Sequence, residues 1–264
     1  MDLPDTLADD LYDFAFCPEP CYERLVDLAN PEPWGECNRV LKNYLLFSFK
    51  RAVQLTKRDH ATAAAPSALP IVFDEGLCLF NTGLYTRRYE TVYALFEPNT
   101  REDARQRWFL KGFFKESDPA LLPFEYLPCR VRFAEDPSEL VFDYRLPIRS
   151  NIDHILGDER NLTRIPASLK GEENSLLLRR AFEGAVVEAA RRAAANYTLA
   201  VPQFYNGRIQ LLLPLCLTGD KPELALTIQR EDGFYSARTC LTLDMAYNNA
   251  RLICRPESSW IKRG

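Results

Sequence analysis

Residues 175–195 read SLLLRRAFEGAVVEAARRAAA, and residues 200–217 read AVPQFYNGRIQLLLPLCL. In the first stretch, apolar residues recur with the 3.6-residue period of a helix, while the opposite face is charged. In the second stretch, Asn206 and Gly207 separate two strand-like runs, and both residue types accept the positive φ angles of a type I′ turn. Together the two stretches predict one long helix packed against an antiparallel sheet.

The remaining strand-like segments are short and are separated by turn residues. ELALTIQ and FYSARTCLTL flank REDG and predict a second hairpin near the carboxyl terminus. IVFD, LCLFN, TVYALFE and RWFLKGFF, within residues 71–115, predict an antiparallel meander. In the proline-rich and charged region that follows, RVRF and LVFDYRLPI are predicted strands, and NIDHILGD is a predicted helical turn.

The predicted elements define an α+β fold with mostly antiparallel sheets, one long packed helix and an N-terminal helical segment. We expect residues 1–55 to form the helical segment, residues 56–70 a loop or linker, and residues 71–264 the main α+β domain. Two sheet lobes, residues 71–160 and 171–264, are an alternative organisation of that domain.

The composition is that of a globular protein, with 264 residues of which 47% are hydrophobic and 27% charged. A formal net charge of −4 argues against the strongly basic surface of a non-specific DNA-binding protein. The first ten residues, MDLPDTLADD, have no secretory signal pattern, and the apolar run LLLPLCL is far shorter than the roughly 20 residues of a membrane helix. We therefore expect a cytoplasmic protein without a membrane-spanning segment.

The chain has eight cysteines, and no pair shows the C-x-x-C spacing of zinc or redox sites. They are expected to be free, buried thiols in a reducing compartment, and no metal site is predicted. The alternative is a zinc site that uses Cys17 and Cys21, whose spacing would place both on one face of a helix. A phosphate-binding glycine loop, a G-x-S-x-G elbow and an H-E-x-x-H helix are also missing from the sequence.

Two candidate ligand-binding residues lie in the predicted meander. In FNTGL, residues 80–84, Asn81 offers an amide at the end of a strand, although asparagine and glycine are also ordinary turn residues. In FLKGFFKES, strand alternation places Lys111 on one face with Phe113, which suits an anion contact beside an aromatic ring or a lysine that covers apolar surface.

DYRLPIRSNIDHIL, residues 143–156, carries the candidate catalytic residues. His154 is suited to general acid or base catalysis, with Asp143 or Asp153 holding its tautomer. Arg145 and Arg149 could bind a phosphate. The structural alternative is that Asn151 or Asp153 caps a short helix that His154 completes.

Further polar residues occur in the carboxyl-terminal hairpin and after it. Gln203, with Gln210 on the partner strand, would read a base edge or line a polar pocket, or lie on the solvent face of the hairpin. In DMAYNNARL, residues 244–252, Asp244 is the expected helix N-cap. Asn248 and Asn249 are expected to point inward between Met245 and Leu252. There they either bind backbone carbonyls of the neighbouring sheet or line a pocket with Arg251 at its rim.

Several long stretches together resemble a bacterial family catalogued as a domain of unknown function, number 3825. They are LKNYL, LFNTGL, YALFEPN, FLKGFFKES, LVFDYRLPIRSNIDHILGD, NYTLAVPQFYNGRIQLLLPLCL and TLDMAYNNARLI, and they span most of the chain from about residue 35 onward. The resemblance implies a connection with RNA, because members are joined to small RNA-binding modules such as cold-shock-type domains. We expect any RNA contact here to come from the domain itself, because the first 35 residues are too few for such a module.

These observations favour a cytoplasmic protein that binds an RNA end or a nucleotide, and that processes its phosphate with His154 as general acid or base. The expected binding residues are Asn81, Lys111, Arg145, Arg149, Gln203, Asn248, Asn249 and Arg251, and the expected catalytic residues are His154 and Asp143. One alternative is a non-catalytic RNA-binding or regulatory module with the same pocket. Another is a metal-dependent hydrolase of a small metabolite, with Asp143 and Asp244 around the metal. The sequence indicates no particular cofactor.

Overall fold

The computed structural model describes residues 7–62, 65–101, 103–257 and 260–261. The parts of our predictions that fall on the other residues, including 1–6, 63 and 64, lie outside the described residues. The chain divides into two compact units, Met1–Val131 and Arg132–Gly264. The N-terminal helical segment and the meander therefore belong to one unit, and the boundary lies inside the first of the expected sheet lobes.

The first unit combines helices with a five-stranded sheet. Its elements, within the described residues, are α1 (Leu11–Phe14), β1 (Ala15–Phe16), α2 (Glu19–Leu28), α3 (Arg39–Ala61), β2 (Ile71–Asp74), β3 (Leu77–Tyr85), β4 (Thr91–Pro98) and β5 (Trp108–Lys115). The sheet order is β1-β5-β4-β3-β2, with β1 parallel to β5 and the other pairs antiparallel. The predicted meander is thus confirmed, and β1 extends it at one edge.

Both faces of this sheet are covered by apolar side chains. On one face, the Phe49 ring of α3 lies 5.1 to 6.2 Å, centroid to centroid, from the rings of Phe14, Phe80 and Phe96. On the other face, Leu79 and Leu95 pack in a buried cluster with residues of the segment after β5. The helix α3 continues through residues 56–61, which we expected as loop, because Thr56 and Asp59 extend its buried face.

The second unit contains the long helix and the second sheet. Its described elements are β6 (Ile148–Arg149), α4 (Ile152–Gly157), α5 (Glu159–Arg164), α6 (Ser175–Ala195), β7 (Val201–Tyr205), β8 (Arg208–Leu215), β9 (Leu224–Glu231), β10 (Phe234–Thr242) and α7 (Leu243–Arg251). The sheet order is β6-β10-β9-β8-β7, with β6 parallel to β10 and the remaining pairs antiparallel. Helix α6 packs against β8, and α7 packs against β7, β9 and β10.

The long helix and both carboxyl-terminal hairpins are confirmed, including the positive φ angles of Asn206 and Gly207. The strands predicted at RVRF and LVFDYRLPI are wrong, because within residues 130–148 only β6 begins, at Ile148. Local side-chain hydrogen bonds compete with strand pairing there. Asp136 caps a 3₁₀ turn by accepting from the amide of Ser138, and Asp143 accepts from the amide of Arg145.

All eight cysteines are free thiols, as predicted. Cys21, Cys78 and Cys240 are buried, whereas Cys37 and Cys254 are exposed, so the expectation that the thiols are buried is wrong for the last two. Across the described residues, no helix combines the length and the apolar character needed to cross a membrane.

Candidate functional site

A row of polar side chains crosses the second sheet, with one residue from each strand. The strand register pairs Arg149 with Ser236, Ser236 with Gln229, and Gln203 with Gln210. A side-chain hydrogen bond of 3.2 Å joins Gln210 to Gln229. Because directly paired residues point to the same face of a sheet, the five side chains share one face. We call Arg149, Ser236, Gln229, Gln210 and Gln203 the polar row.

The three glutamines of the polar row are buried, with 2% (Gln203), 8% (Gln210) and 8% (Gln229) of their surface exposed. Strand alternation places the buried side chains of Leu211 and Ile228 on the opposite face. One face of the sheet is therefore aliphatic, whereas the other carries the polar row beside buried apolar residues such as Leu212 and Val201. A buried amide is costly unless it is hydrogen-bonded, so the arrangement of these groups is tightly constrained.

The buried amides form one continuous path of hydrogen bonds. The Nδ2 of Asn249 donates to Oε1 of Gln203 at 3.0 Å, and Nε2 of Gln203 donates to Oε1 of Gln210 at 2.9 Å. Gln210 donates in turn to Gln229 at 3.2 Å, and Gln229 donates to Glu231 at 3.1 Å. We call Asn249, Gln203, Gln210, Gln229 and Glu231 the amide chain. It links α7 to three strands of the sheet.

The polar face has hydrogen-bonding groups that the protein does not use. Thr227 lies two residues before Gln229 on the same strand face, and neither its Oγ1 nor the buried Oδ1 of Asn248 has a hydrogen-bond partner among the described residues. Each glutamine amide has two N–H donors, and the amide chain uses one of them. The Thr227 and Asn248 oxygens are themselves buried, so they are unsatisfied hydrogen-bonding groups inside the fold.

Arg149, at the β6 end of the polar row, carries an exposed cation. Its guanidinium carbon lies 4.3 Å from the centroid of the Phe234 ring. Within the described part of the chain Arg149 forms no ion pair with a carboxylate. Since the aromatic ring orients the planar guanidinium without neutralising it, Arg149 remains able to bind an anion.

The two candidate catalytic residues have separate environments. The Asp143 carboxylate accepts two hydrogen bonds of 2.8 Å from the guanidinium of Arg145 and one of 3.1 Å from its backbone amide. These bonds stabilise the charged form and lower the pKa of Asp143 to about 2. Asp143 and Arg145 therefore bind each other, which is a different arrangement from the expected Asp143–His154 pair.

His154 lies in α4, where Asn151 is the N-cap and its side chain accepts from the His154 amide at 3.2 Å. This is the structural alternative that the sequence offered. Asp153 forms an ion pair with Arg179, and the exposed His154 imidazole has no hydrogen bond with the described residues. Neither aspartate holds the His154 tautomer in this arrangement.

Asn81 and Lys111 belong to the first unit. The side chain of Asn81 donates to the carbonyl oxygen of Pro128 at 2.8 Å and accepts from the amide of Gly83 at 2.9 Å, so both of its polar atoms serve the backbone. Lys111 is the extra residue of a β-bulge in β5, which interrupts the alternation used to place it with Phe113. Its Nζ lies 3.3 Å from a carboxylate oxygen of Glu97.

The remaining sequence-derived candidates lie in α7. The N-cap is Thr242, whose hydroxyl accepts from the Met245 amide at 3.3 Å, and the expectation that Asp244 caps the helix is wrong. The expected position of Arg251 at a rim is also wrong, because Arg251 is 4% exposed whereas Met245 is 38% exposed. The helix is rotated relative to our expectation, and Asn249 is the α7 residue that reaches Gln203.

The second unit also contains an apolar cavity of about 740 Å³ beside α4, α5 and α6. Its floor is aliphatic, with Ile165, Leu169 and Leu178 among the lining residues, and Asp153 and Arg179 lie at its edge. Lys170, Glu172 and Ser175 also line the cavity, so its mostly aliphatic walls carry some polar groups, and it differs from the polar row in having no Asn or Gln side chain in its lining. Within the described residues, no group of three or more His, Cys, Asp or Glu side chains could hold a metal ion.

The sequence indicated only part of this site. Gln203, Gln210, Asn249 and Arg149 were singled out, whereas Gln229, Glu231 and Ser236 were missed. The signal for Gln229 was the alternation of polar Thr227 and Gln229 with apolar Leu226 and Ile228 in LTIQ. Gln229 joins the polar row because the strand register places it beside Gln210. That register is known only from the folded sheet.

A family model described as "Domain of unknown function (DUF3825)" matches residues 25–260, which include the whole polar row. No curated protein and no solved structure matches the chain. The chemistry of the site is therefore argued from its own residues.

Proposed function

The chain belongs to the DUF3825 family, and from the geometry of its second unit we propose that it binds a nucleotide or an RNA end along the polar row. The observation that carries this proposal is the polar row across five strands, with three buried glutamine amides on neighbouring strands and an exposed arginine at the opposite end. Nothing in the aliphatic packing of the sheet requires three glutamines on one face.

The chemistry of the row suits a nucleobase and a phosphate. Side-chain amides of asparagine and glutamine combine donor and acceptor atoms that match the edges of bases. Guanidinium groups bind phosphate with paired hydrogen bonds, and Arg149 carries a charge that no described carboxylate neutralises. Asn249 and Arg149 lie at opposite ends of this array, four strand spacings or roughly 19 Å apart. A mononucleotide would therefore contact Arg149 and the nearer part of the row, and a longer RNA strand would be needed to reach Asn249 as well.

The proposal is one of binding, and it assigns no reaction. Proton transfer by His154 would need a group that orients its imidazole, and Asp143 and Asp153 are both paired with arginines. Because all eight cysteines are free, we place this binding in the reducing cytoplasm, where nucleotides and RNA are abundant.

The first test is whether the purified full-length chain retains a nucleotide. Acid release followed by mass spectrometry should identify a nucleotide or oligonucleotide, and calorimetric titration with AMP and with short single-stranded RNA should show binding. If no nucleotide is retained, and if the four common nucleoside monophosphates and single-stranded RNA give no binding, the proposed function is wrong.

Variants of Arg149 test the phosphate end of the row. Arg149→Gln should weaken AMP about tenfold and leave adenosine almost unchanged, because the charged hydrogen bond to phosphate is lost, at about 1.5–3 kcal/mol. The matched control is Arg160→Gln, since Arg160 is exposed and already paired with Asp158, and this variant should bind AMP like the wild type. Equal weakening of AMP and adenosine by Arg149→Gln would contradict a phosphate contact.

A further inference from the structure

We propose that the ligand of the polar row is a single strand of RNA several nucleotides long, which the protein holds at two separate places on the same sheet face. This inference rests on the proposed function and specifies the ligand class of that site. A mononucleotide would occupy one of the two places.

A second row of side chains lies beside the polar row. The strand register pairs Tyr205 with Arg208 and Phe234 with Glu231, on strands β7 to β10. Each of these residues lies two positions along its strand from a member of the polar row, so strand alternation directs its side chain to the same face. We call Tyr205, Arg208, Glu231 and Phe234 the outer row.

The outer row is more exposed than the glutamines of the polar row. Tyr205 is 54% exposed, and Arg208 is also exposed, whereas Phe234 and Glu231 are partly buried. Within the described part of the chain, the Arg208 guanidinium takes part in no ion pair or hydrogen bond. A ligand can therefore reach a cation and an aromatic ring here without any change in the fold.

Each of the two places combines an arginine with an aromatic ring. At the β6 end, the guanidinium carbon of Arg149 lies 4.3 Å from the centroid of the Phe234 ring. On the β7–β8 hairpin, Tyr205 and Arg208 are directly paired across the strands, which places their Cβ atoms about 4.5–5.5 Å apart. The same two kinds of side chain thus recur at both ends of the face.

This combination is typical of sites for single-stranded nucleic acids. Aromatic rings stack with unpaired bases, and arginines contact the phosphate backbone. A duplex has no unpaired base to offer, which favours a single strand. Glu231, the carboxylate of the outer row, is paired with Arg238, and this ion pair reduces its repulsion of a phosphate backbone.

The distance between the two arginines determines the length of the strand. Arg208 and Arg149 are separated by three strand spacings, or roughly 14 Å, and by a two-residue offset of roughly 7 Å along the strands, which together place their Cα atoms about 16 Å apart. Phosphates of a stacked strand are about 3.4 Å apart. A mononucleotide therefore reaches one arginine, whereas a stacked strand needs about five nucleotides to reach both, and an extended strand needs fewer.

The first test is calorimetric titration of the full-length wild-type chain with AMP and with oligoadenylates of two, four, six and eight nucleotides. Affinity should rise about tenfold or more between AMP and the six-nucleotide strand, because the longer ligand adds a phosphate contact and a stacked base. It should change little from six to eight nucleotides, because both places are then filled.

Variants of the hairpin test the second place. Arg208→Gln and Tyr205→Ala should each weaken the six-nucleotide strand about tenfold and leave AMP almost unchanged, whereas Arg149→Gln should weaken both ligands. The matched control is Arg180→Gln, which removes an exposed arginine of α6 that forms no ion pair with the described residues, and both ligands should bind it like the wild type. Equal weakening of the strand by Arg180→Gln and Arg208→Gln would indicate an effect of net charge alone and would overturn the second place.

The outcomes separate this inference from the proposed function. If AMP binds and the longer strands bind no more tightly, the inference is overturned while the proposed function stands. If neither AMP nor any strand binds, both are overturned. Strand affinity that is unchanged in folded Arg208→Gln and Tyr205→Ala variants would show that the outer row does not hold the strand. The wild-type length series needs no variant, so a failure of either variant to fold leaves the inference open to refutation.

Discussion

Asp143 shows at the scale of one residue how a pair of side chains couples stability to pH. Its folded-state pKa of about 2 lies below the value of about 3.9 for an unfolded aspartate, because Arg145 binds the charged form. A carboxyl group with a lowered pKa stabilises the fold above its unfolded pKa. That contribution is lost as the pH falls through about 4 towards the folded value of about 2.

We therefore expect Asp143→Asn to lower the free energy of unfolding at pH 6, and the difference from the wild type to shrink as the pH falls from 4 to about 2. Urea unfolding at a series of pH values measures this difference. The control is Arg145→Gln, which removes the partner and should give the same pH dependence. A difference that stays constant between pH 6 and pH 2 would contradict the pairing.

Polar residues with functional potential could be recognised from the sequence, but their partners could not. By residue type, Asn81 was a reasonable candidate for ligand binding and Asp143 for catalysis. The structure assigns Asn81 to the carbonyl oxygen of Pro128, 47 positions away, and Asp143 to Arg145, two positions away. Residue type predicts which hydrogen bonds a polar side chain can make. The tertiary structure determines which partner it has, because a polar side chain binds the complementary group that folding brings near.

At the scale of elements, two glycines have different backbone roles. The glycine of the β7–β8 turn needs a positive φ angle, whereas the glycine within helix α6 has no such need. Gly207 has a φ of +79°, and a Cβ built on it would meet no atom within 4 Å. Gly207→Ala should therefore destabilise the protein by about 1 kcal/mol through backbone strain alone.

Gly184, in the middle of α6, also has open space around a Cβ. Gly184→Ala should stabilise the protein by about 0.5–1 kcal/mol, because alanine loses less conformational entropy in a helix.

Urea unfolding of both variants, with ΔG taken from the midpoint and slope, measures the two effects. Opposite signs are the expected result, and each variant is the control for the other because the added methyl group is the same. Destabilisation by both would indicate that the space around Gly184 is needed for a reason that the described neighbours do not show.

Elements with strong local signals were predictable. The helix at 175–195 and the hairpin at 201–215 follow from periodicity and from an Asn-Gly turn, which act over a few residues. By contrast, β1 and β6 have two residues each and exist because a parallel neighbour pairs with them. No short-range sequence pattern predicts such two-residue strands. The apolar residues of LVFDYRLPI, in contrast, resemble a strand pattern although most of that stretch is not a strand.

At the scale of the whole chain, the reactivity of the cysteine thiols measures whether each unit is folded. Cys78 in the first unit and Cys240 in the second are buried, and burial raises the pKa of both thiols, to about 12 for Cys240. Because the thiolate is the reactive form, both should resist alkylation in the native protein. Cys37 is exposed and should react at once.

Peptide mapping by mass spectrometry after brief alkylation, with and without denaturant, measures this contrast. Cys37 should be modified under both conditions, and Cys78 and Cys240 only when denaturant is present. Cys37→Ser should remove modification at that position only, while exposed Cys254 still reacts and Cys78 and Cys240 remain protected. Native-state modification of Cys78 or Cys240 at the rate of Cys37 would contradict the burial of that thiol.

Long-range organisation was the least predictable property of this chain. The α+β class followed from the succession of elements, whereas the sheet order and the unit boundary after Val131 depend on contacts between distant segments. The polar row has the same origin, since it needs the register of five strands. A single sequence shows which residues alternate along a strand, but the neighbour across the sheet is fixed only by pairing.

The polar row also has a consequence for the fidelity of folding. A slip of one residue in β8 would move Gln210 to the aliphatic face and bring Leu211 into the row, and a slip in β9 would do the same with Gln229 and Ile228. Either error would leave amides unpaired in a buried environment, at about 1–3 kcal/mol for each group. In an aliphatic sheet one leucine can replace another after a slip, whereas here the wrong alignment breaks a line of hydrogen bonds. The side chains of the polar row, which are the proposed ligand contacts, therefore also favour the correct register of the strands.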